Sequence, residues 1–157
     1  MYLLCLKFTR LKLKFYKYQG AGNDFVMIDD REQIFPISTP LINKLCDRNF
    51  GIGADGLILL QNDNQSDFKM VYFNSDGNES TMCGNGGRCI IRFANDLDVA
   101  SDKMTFNAID GLHHGIVDEE VIRLQMIDVN EVEDHDQYLF MNTGSPHHVE
   151  FVKNLSE

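Results

Sequence analysis

The chain has 157 residues, 43% of them hydrophobic, with a formal net charge of −10. That is enough apolar material for one ordinary soluble domain with a buried core, and too acidic a surface for nucleic-acid or anionic-membrane partners, which need clustered Lys and Arg. No apolar run approaches the ~18–20 residues that span a bilayer. Residues 1–10 lack the basic start and small-residue cleavage site of a secretory signal, and read as an extension ahead of a single domain over 11–157.

In chain order, Leu11–Tyr16 alternates apolar with polar or aromatic residues and reads as the first strand, followed by short apolar strands at Phe25–Ile28 and Gly56–Leu60. Between them, Ser38-Thr39-Pro40 starts a helix and Phe50-Gly51 stops it. Phe68–Phe73 is an alternating strand, Asn74-Ser75-Asp76-Gly77 a turn, and Arg88–Asn95 has the composition of a helix. Further strands are expected at Met104–Ala108, His114–Val117, Val121–Met126, Tyr138–Asn142 and His148–Val152, with residues 117–121 closing a hairpin. Strands outnumber helices and connections are short, so the fold class is α+β with mostly antiparallel pairing. The four cysteines, at 5, 46, 83 and 89, show no disulfide framework, which suits a reducing cytoplasm. Along a helix, Cys83 and Cys89 are about 9 Å apart, beyond the ~7 Å Cα separation a disulfide tolerates, and their spacing fits no common zinc pattern. Cys46, on the Leu41, Ile42, Leu45 face of its helix, and Cys89, in an apolar run, read as core.

Cys83 stands apart. It precedes Gly84, Gly86 and Gly87 at the expected start of a helix, where unpaired N–H groups and the positive end of the helix dipole favour an anion. A free thiol with pKa near ~8.5 is only about 3% ionised at neutral pH. A helix end contributes roughly 0.3–1 kcal/mol, up to ~2 when partly buried, so a depression of about one unit is expected. The glycines let backbone N–H groups approach a carboxylate. A thiolate base beside a carboxylate-bearing substrate is one reading; a buried cysteine at a helix cap with glycines nearby is the other.

Four ordered segments carry a resemblance. Residues 73–89, Phe-Asn-Ser-Asp-Gly-Asn-Glu-Ser-Thr-Met-Cys-Gly-Asn-Gly-Gly-Arg-Cys, resemble the first active-site motif of the diaminopimelate epimerases. Residues 18–26 resemble that family's Gly-x-Gly-Asn-Asp-Phe signature, residues 46–56 its Asp-Arg…Gly-x-Gly-x-Asp segment, and residues 143–149 its Gly-Asn-Pro-His segment. The resemblance implies two pseudo-symmetric halves, each a curved, mostly antiparallel sheet wrapped around a central helix, of which this chain is the amino-terminal one. It implies interconversion of LL- and meso-diaminopimelate, for lysine and peptidoglycan synthesis, without a cofactor or metal. Two cysteines on opposite faces of the α-carbon move the proton, while helix N-termini receive the α-carboxylate.

Carried over by position, Cys83 is one proton carrier, and Gly84 and Asn85 offer N–H groups to the carboxylate. Asn23 and Asn74 match asparagines that contact substrate, although beside glycines the spacing alone favours turn roles. His147 matches a histidine thought to influence thiol ionisation. His113, His114, His135 and His148 have no such match and read as surface or strand positions. Ser145 replaces the usual asparagine before Pro146, keeping a hydroxyl with shorter reach, and Gly56 stands where some members carry a substrate-binding glutamine. The second cysteine, in a Gly-Cys-Gly-Thr segment, and a substrate-binding Glu-Arg pair belong to a carboxy-terminal half not found in these residues. The expected partners are therefore an amino-acid substrate and that missing half, with a homodimer pairing two Cys83 thiols as a symmetric alternative. A related racemase is the nearest rival, but proline racemases typically have histidine after Cys-Gly, where Asn85 stands. A non-catalytic amino-acid-binding or assembly module is the rival of a different class.

Overall fold

A computed structural model describes residues 12–154; the expected extension 1–10, Leu11 and Cys5 lie outside the described residues. Strands β1 (Tyr16–Gly20), β2 (Asn23–Asp29), β3 (Gly56–Gln61), β4 (Phe68–Asn74), β5 (Lys103–Ala108), β6 (Gly111–Asp118) and β7 (Val121–Leu124) form one seven-stranded sheet in sequential order. A smaller sheet follows, of β8 (Val132–Asp134), β9 (Leu139–Asn142) and β10 (Pro146–Val149) in the order β10-β9-β8. Helices α1 (Thr39–Cys46) and α2 (Gly84–Asp96) complete the described elements.

Pairing is antiparallel except at β2–β3 and β4–β5, which are joined through α1 and α2 respectively. A parallel pair needs a crossover, and crossovers are right-handed. Because β4–β5 run opposite to β2–β3, that rule sends the two helices to opposite faces of the sheet. The core divides accordingly. Phe25, Met27, Ile58, Leu60, Phe68 and Met70 pack with Ile90, Ile91 and Phe93 of α2. The alternate residues Val26, Ile28, Leu57, Leu59, Val71 and Phe73 pack with Ile42 and Cys46 of α1. β3 is buried on both faces, which explains its unbroken apolar run.

The large sheet curls around α2, which touches β1, β2 and β3 at one side and β6 and β7 at the other. Phe93 meets the rings of Tyr16 and Tyr18 at 5.0 and 5.5 Å. The expected curved, mostly antiparallel sheet around a central helix is the observed architecture.

Several boundaries differ. The first strand begins at Tyr16, and residues 12–15 carry no strand. Its register is set by the two-residue turn Ala21-Gly22, whose φ of 52° and 94° is the left-handed pair that tight hairpins require. α1 is capped by Ser38, whose Oγ accepts from the Leu41 N–H at 3.3 Å, and it ends at Cys46, ahead of the expected stop at Phe50-Gly51. The returning loop satisfies its last carbonyls: Ile52 and Gly53 donate to Leu45 O, and Ala54 to Cys46 O. α2 starts at Gly84, four residues before Arg88. β7 stops at Leu124 and β10 begins at Pro146. No helix among the described residues is long and apolar enough to cross a membrane.

Candidate active site

Cys83 is the N-cap of α2, in extended conformation (φ −100°, ψ 127°), and its carbonyl accepts the first helical bond from Gly87 N at 2.7 Å. Its half-buried thiol makes no capping hydrogen bond. The thiol therefore leaves the first N–H groups of the helix, those of Gly84, Asn85 and Gly86, uncapped. Glycines let this helix start sit deep in the fold. A Cβ on Gly86 would lie 3.0 Å from Ile58 Cδ1, and one on Gly87 2.6 Å from Leu124 Cδ2. The cost of glycine in a helix, about 1 kcal/mol each relative to Ala, is offset by this close approach to the sheet.

Burial separates the other thiols from Cys83. Cys46 and Cys89 are both in the core, and burial pushes each up to about 11. All three are free.

The structure brings Asn23 and Asn85 together: Asn85 Nδ2 donates to Asn23 Oδ1 at 2.6 Å. Asn23 Nδ2 in turn donates to Asp55 Oδ2 at 3.0 Å, and Arg88 donates to Asn85 Oδ1. Asp55 also accepts from the Asp24 N–H at 3.2 Å and from Arg48 at 2.6 Å. Arg48 holds Asp24 at 2.8 Å, and Lys17 holds the other Asp24 oxygen at 2.7 Å. The Arg48 guanidinium, with Lys17 behind it, keeps the Asp24 carboxyl far below the usual carboxylate range; hydrogen bonds from Asn23, the Asp24 N–H and Arg48 lower Asp55 as well. On the Asn85 side chain, Oδ1 and one Nδ2 hydrogen are thus occupied, and its backbone N–H lies in the uncapped first turn.

Asn74 ends β4 on the rim of the same region. Its Oδ1 accepts from the Tyr72 hydroxyl at 2.8 Å and its Nδ2 donates to Ser80 Oγ at 3.1 Å. Its turn is clamped by α1: Asn43 Nδ2 donates to Ser75 O at 3.0 Å, and a Cβ on Gly77 (φ +89°) would fall 2.3 Å from Thr39 O. Asn23 and Asn74 both flank turns, Asn23 following Ala21-Gly22 and Asn74 preceding residues 75–77.

Ser145 reaches the loop that carries Cys83, its Oγ lying 2.8 Å from Thr81 Oγ1. His147 is exposed, and its Nδ1 contacts Ser145 O at 2.8 Å and Thr143 Oγ1 at 3.2 Å, within its own turn. Of the remaining histidines, His113 lies on strand β6, within the surface-or-strand expectation, and is buried there. Its Nε2 lies 3.0 Å from Asp110 Oδ1 and its ring stacks on Phe106. A cleft of about 620 Å³ lined by Tyr16, Asp29 and Arg31 lies away from this region and contains none of the candidate residues; its arginine is spent on Asp29 at 2.7 Å. Among the described residues no cluster of three or more His, Cys, Asp or Glu could hold a metal.

Arg48, Asp55, Ser80, Thr81 and Arg88 stand within the quoted motifs with no role given to them, and Tyr72 stands within the expected strand 68–73. Asn23 and Asp55 lie 32 residues apart, and only the fold shows that Asp55 is the acceptor Asn23 needs.

The family model described as diaminopimelate epimerase matches residues 15–130, a span that contains Asn23, Asn74, Cys83, Gly84 and Asn85. A diaminopimelate epimerase of Flavobacterium psychrophilum is 66% identical over 146 residues, covering 92% of this chain and 57% of that protein. One of Chlorobaculum tepidum is 40% identical, covering 88% and 57%. The chain thus spans little more than half the length of these curated relatives. In fold it is similar to a phenazine biosynthesis protein of the PhzF family from Bacillus anthracis (TM-score 0.72, 16% identity, covering 93% of this chain and 58% of that one). It is also similar to a hydroxyproline epimerase from Agrobacterium vitis (TM-score 0.66, 11% identity, covering 92% and 53%). With the family match running through both the hairpin of Asn23 and the helix start of Cys83, this chain belongs to the diaminopimelate epimerase family.

Proposed function

We propose that residues 11–157 are the amino-terminal half of a cytoplasmic diaminopimelate epimerase, with residues 1–10 as an extension. In this reading the enzyme interconverts LL- and meso-diaminopimelate for lysine and peptidoglycan synthesis by proton transfer between two cysteines, without a cofactor. The observation that carries the proposal is Cys83 at the uncapped start of α2, half-buried, with the N–H groups of Gly84 and Asn85 beside it.

The α-proton of an amino acid is weakly acidic, and the carbanion left on its removal needs its charge spread into the carboxylate. Helix N–H donors aimed at that carboxylate stabilise the charge as it develops. Cys83 takes or delivers the proton on one face, and a thiol from a carboxy-terminal half does so on the other, so loss and gain on opposite faces invert the centre. Asn23 orients Asn85, Asn74 and Ser145 contact the substrate from the rim, and His147 acts on the thiol through the turn it shares with Ser145.

The test joins this chain to the carboxy-terminal half of the Flavobacterium psychrophilum relative and follows deuterium entering diaminopimelate from heavy water. Cys83→Ala is expected to lower exchange by about 10²–10⁴-fold, as loss of a positioned proton carrier does. Cys83→Ser is expected to do nearly as badly, because a hydroxyl is a far weaker acid and no adjacent base activates it. Turnover by either variant within a few-fold of the parent would overturn the mechanism, and a folded fusion that binds diaminopimelate without exchanging it would favour a binding module.

A further inference from the structure

Position 56 has no side chain, and the space beside it is taken. Gly56 pairs with Asn74 across the β3–β4 ladder. A Cβ on Gly56 would lie 2.5 Å from Tyr72 Cε2, 3.1 Å from Tyr72 Oη and 2.6 Å from Phe73 O, so the Tyr72 ring fills the volume a side chain at 56 would need. The Phe25 ring meets Tyr72 edge-on at 6.0 Å and holds it there. From that position the Tyr72 hydroxyl donates to Asn74 Oδ1 at 2.8 Å, while one Asn74 Nδ2 hydrogen goes to Ser80 Oγ at 3.1 Å. A carboxamide has two N–H hydrogens. With its oxygen held by a hydroxyl and one hydrogen spent, the second Nδ2 hydrogen of this exposed residue is left for an acceptor outside the protein.

We propose that Tyr72 is a positioning and specificity-determining residue of this site: packed over Gly56, it fixes the Asn74 carboxamide so that one Nδ2 hydrogen serves a carboxylate oxygen of the substrate. Gly56 and Tyr72 then act as a size-coupled pair, and the grip on the substrate depends on both. The identity of the ligand rests on the epimerase reading above; the positioning of Asn74 does not. Burial pushes the Tyr72 hydroxyl up to about 12, so it stays a donor throughout the physiological range.

The experiment uses the ¹⁵N-labelled 157-residue chain with diaminopimelate as the probe. Tyr72→Phe keeps the ring and removes the donor. Its melting temperature is expected to stay close to that of the unsubstituted chain while the Asn74 side-chain amide signals move and the dissociation constant for diaminopimelate rises about five-fold, the equivalent of one lost hydrogen bond. Gly56→Ala is expected to lower the melting temperature and move the same Asn74 signals by displacing the ring, and the loss of melting temperature should shrink when Gly56→Ala is combined with Tyr72→Leu. Asn74 signals unmoved in both Tyr72→Phe and Gly56→Ala overturn the proposal, as does unchanged affinity in Tyr72→Phe. Failure of the epimerase reading looks different: Tyr72→Phe still moves the Asn74 signals, but diaminopimelate shifts nothing in the unsubstituted chain.

Discussion

Cys83 differs from Cys46 and Cys89 by position more than by chemistry. The latter two are 3% and 4% exposed, and burial raises both to about 11, so in the folded chain they are un-ionised and hard to reach at neutral pH. Cys83 is half-buried at an uncapped helix start. Alkylation of the native protein between pH 6 and 9, with peptide mapping, is therefore expected to label Cys83 ahead of Cys46 and Cys89, which should react only after denaturant is added. Labelling of Cys46 or Cys89 first would contradict the assignment. The carboxylate behind the site gives a second expectation. The Asp24 carboxyl is held far below its unfolded value by Arg48 and Lys17, so its contribution is present at neutral pH and is lost as pH falls below about 4, toward the folded value. Because Arg48 is 57% and Asp24 24% exposed at the side chain, solvent screening keeps that contribution small. Asp24→Asn should flatten the fall in melting temperature between pH 4 and 2.5 relative to the unsubstituted chain, and identical acid profiles would show that the pair contributes nothing.

At the scale of elements, α2 is held by contacts that leave no spare volume. Gly115 on β6 faces Ile91, which is wholly buried, and a Cβ there would lie 2.6 Å from Ile91 Cγ1 and 2.7 Å from its Cδ1. Gly115→Ala is expected to destabilise by roughly 1–3 kcal/mol, the usual range for overpacking, and Ile91→Val should recover part of that by removing Cδ1. Urea unfolding of the single and double variants checks it; independent, additive effects would mean the two residues do not share the space. The same close packing explains what could be read in advance. β2, β3 and β4 were legible because burial imposes period-2 or unbroken apolar patterns on them. For α2, the start at Cys83 and the apolar run from Arg88 were legible, whereas the glycine-rich turn between them looks like loop, and only the contacts of Gly86 with Ile58 and of Gly87 with Leu124 show why a helix accepts those glycines. β1 was placed too early because Lys12-Leu13-Lys14-Phe15 alternates like a strand, whereas the Ala21-Gly22 turn and the tilted and edge-on contacts of Tyr16 and Tyr18 with Phe93 set the actual pairing. β8 went unseen because its three residues include one apolar side chain, and all three are exposed. At the site, the helix-end cysteine was legible from local glycine chemistry. The Arg48–Asp55–Asn23–Asn85 chain was not, because its members lie up to 62 residues apart.

At the scale of the whole molecule, the described residues place one thiol at a glycine-rich helix start, while Cys46 and Cys89 are locked in the core. Inversion by two proton carriers on opposite faces needs a second such thiol, and the chain spans 57% of the length of its 66% identical relative. The 157-residue chain is therefore expected to fold cooperatively, since apolar clusters are buried on both faces of the large sheet, and yet to leave diaminopimelate unexchanged. Leu112, Met126 and Ile127 line one shallow surface together and are between 37% and 51% exposed, a patch able to drive self-association at high concentration. If two copies met with their Cys83 thiols facing one substrate, they would form a symmetric version of the two-half site. Deuterium incorporation measured across a concentration series, with light scattering on the same samples, separates these cases. No exchange at any concentration is the expected result. Exchange that rises with the dimer fraction would support the symmetric site, whereas exchange by a chain shown to be monomeric, at a rate comparable to that of the fusion, would refute the need for a second thiol.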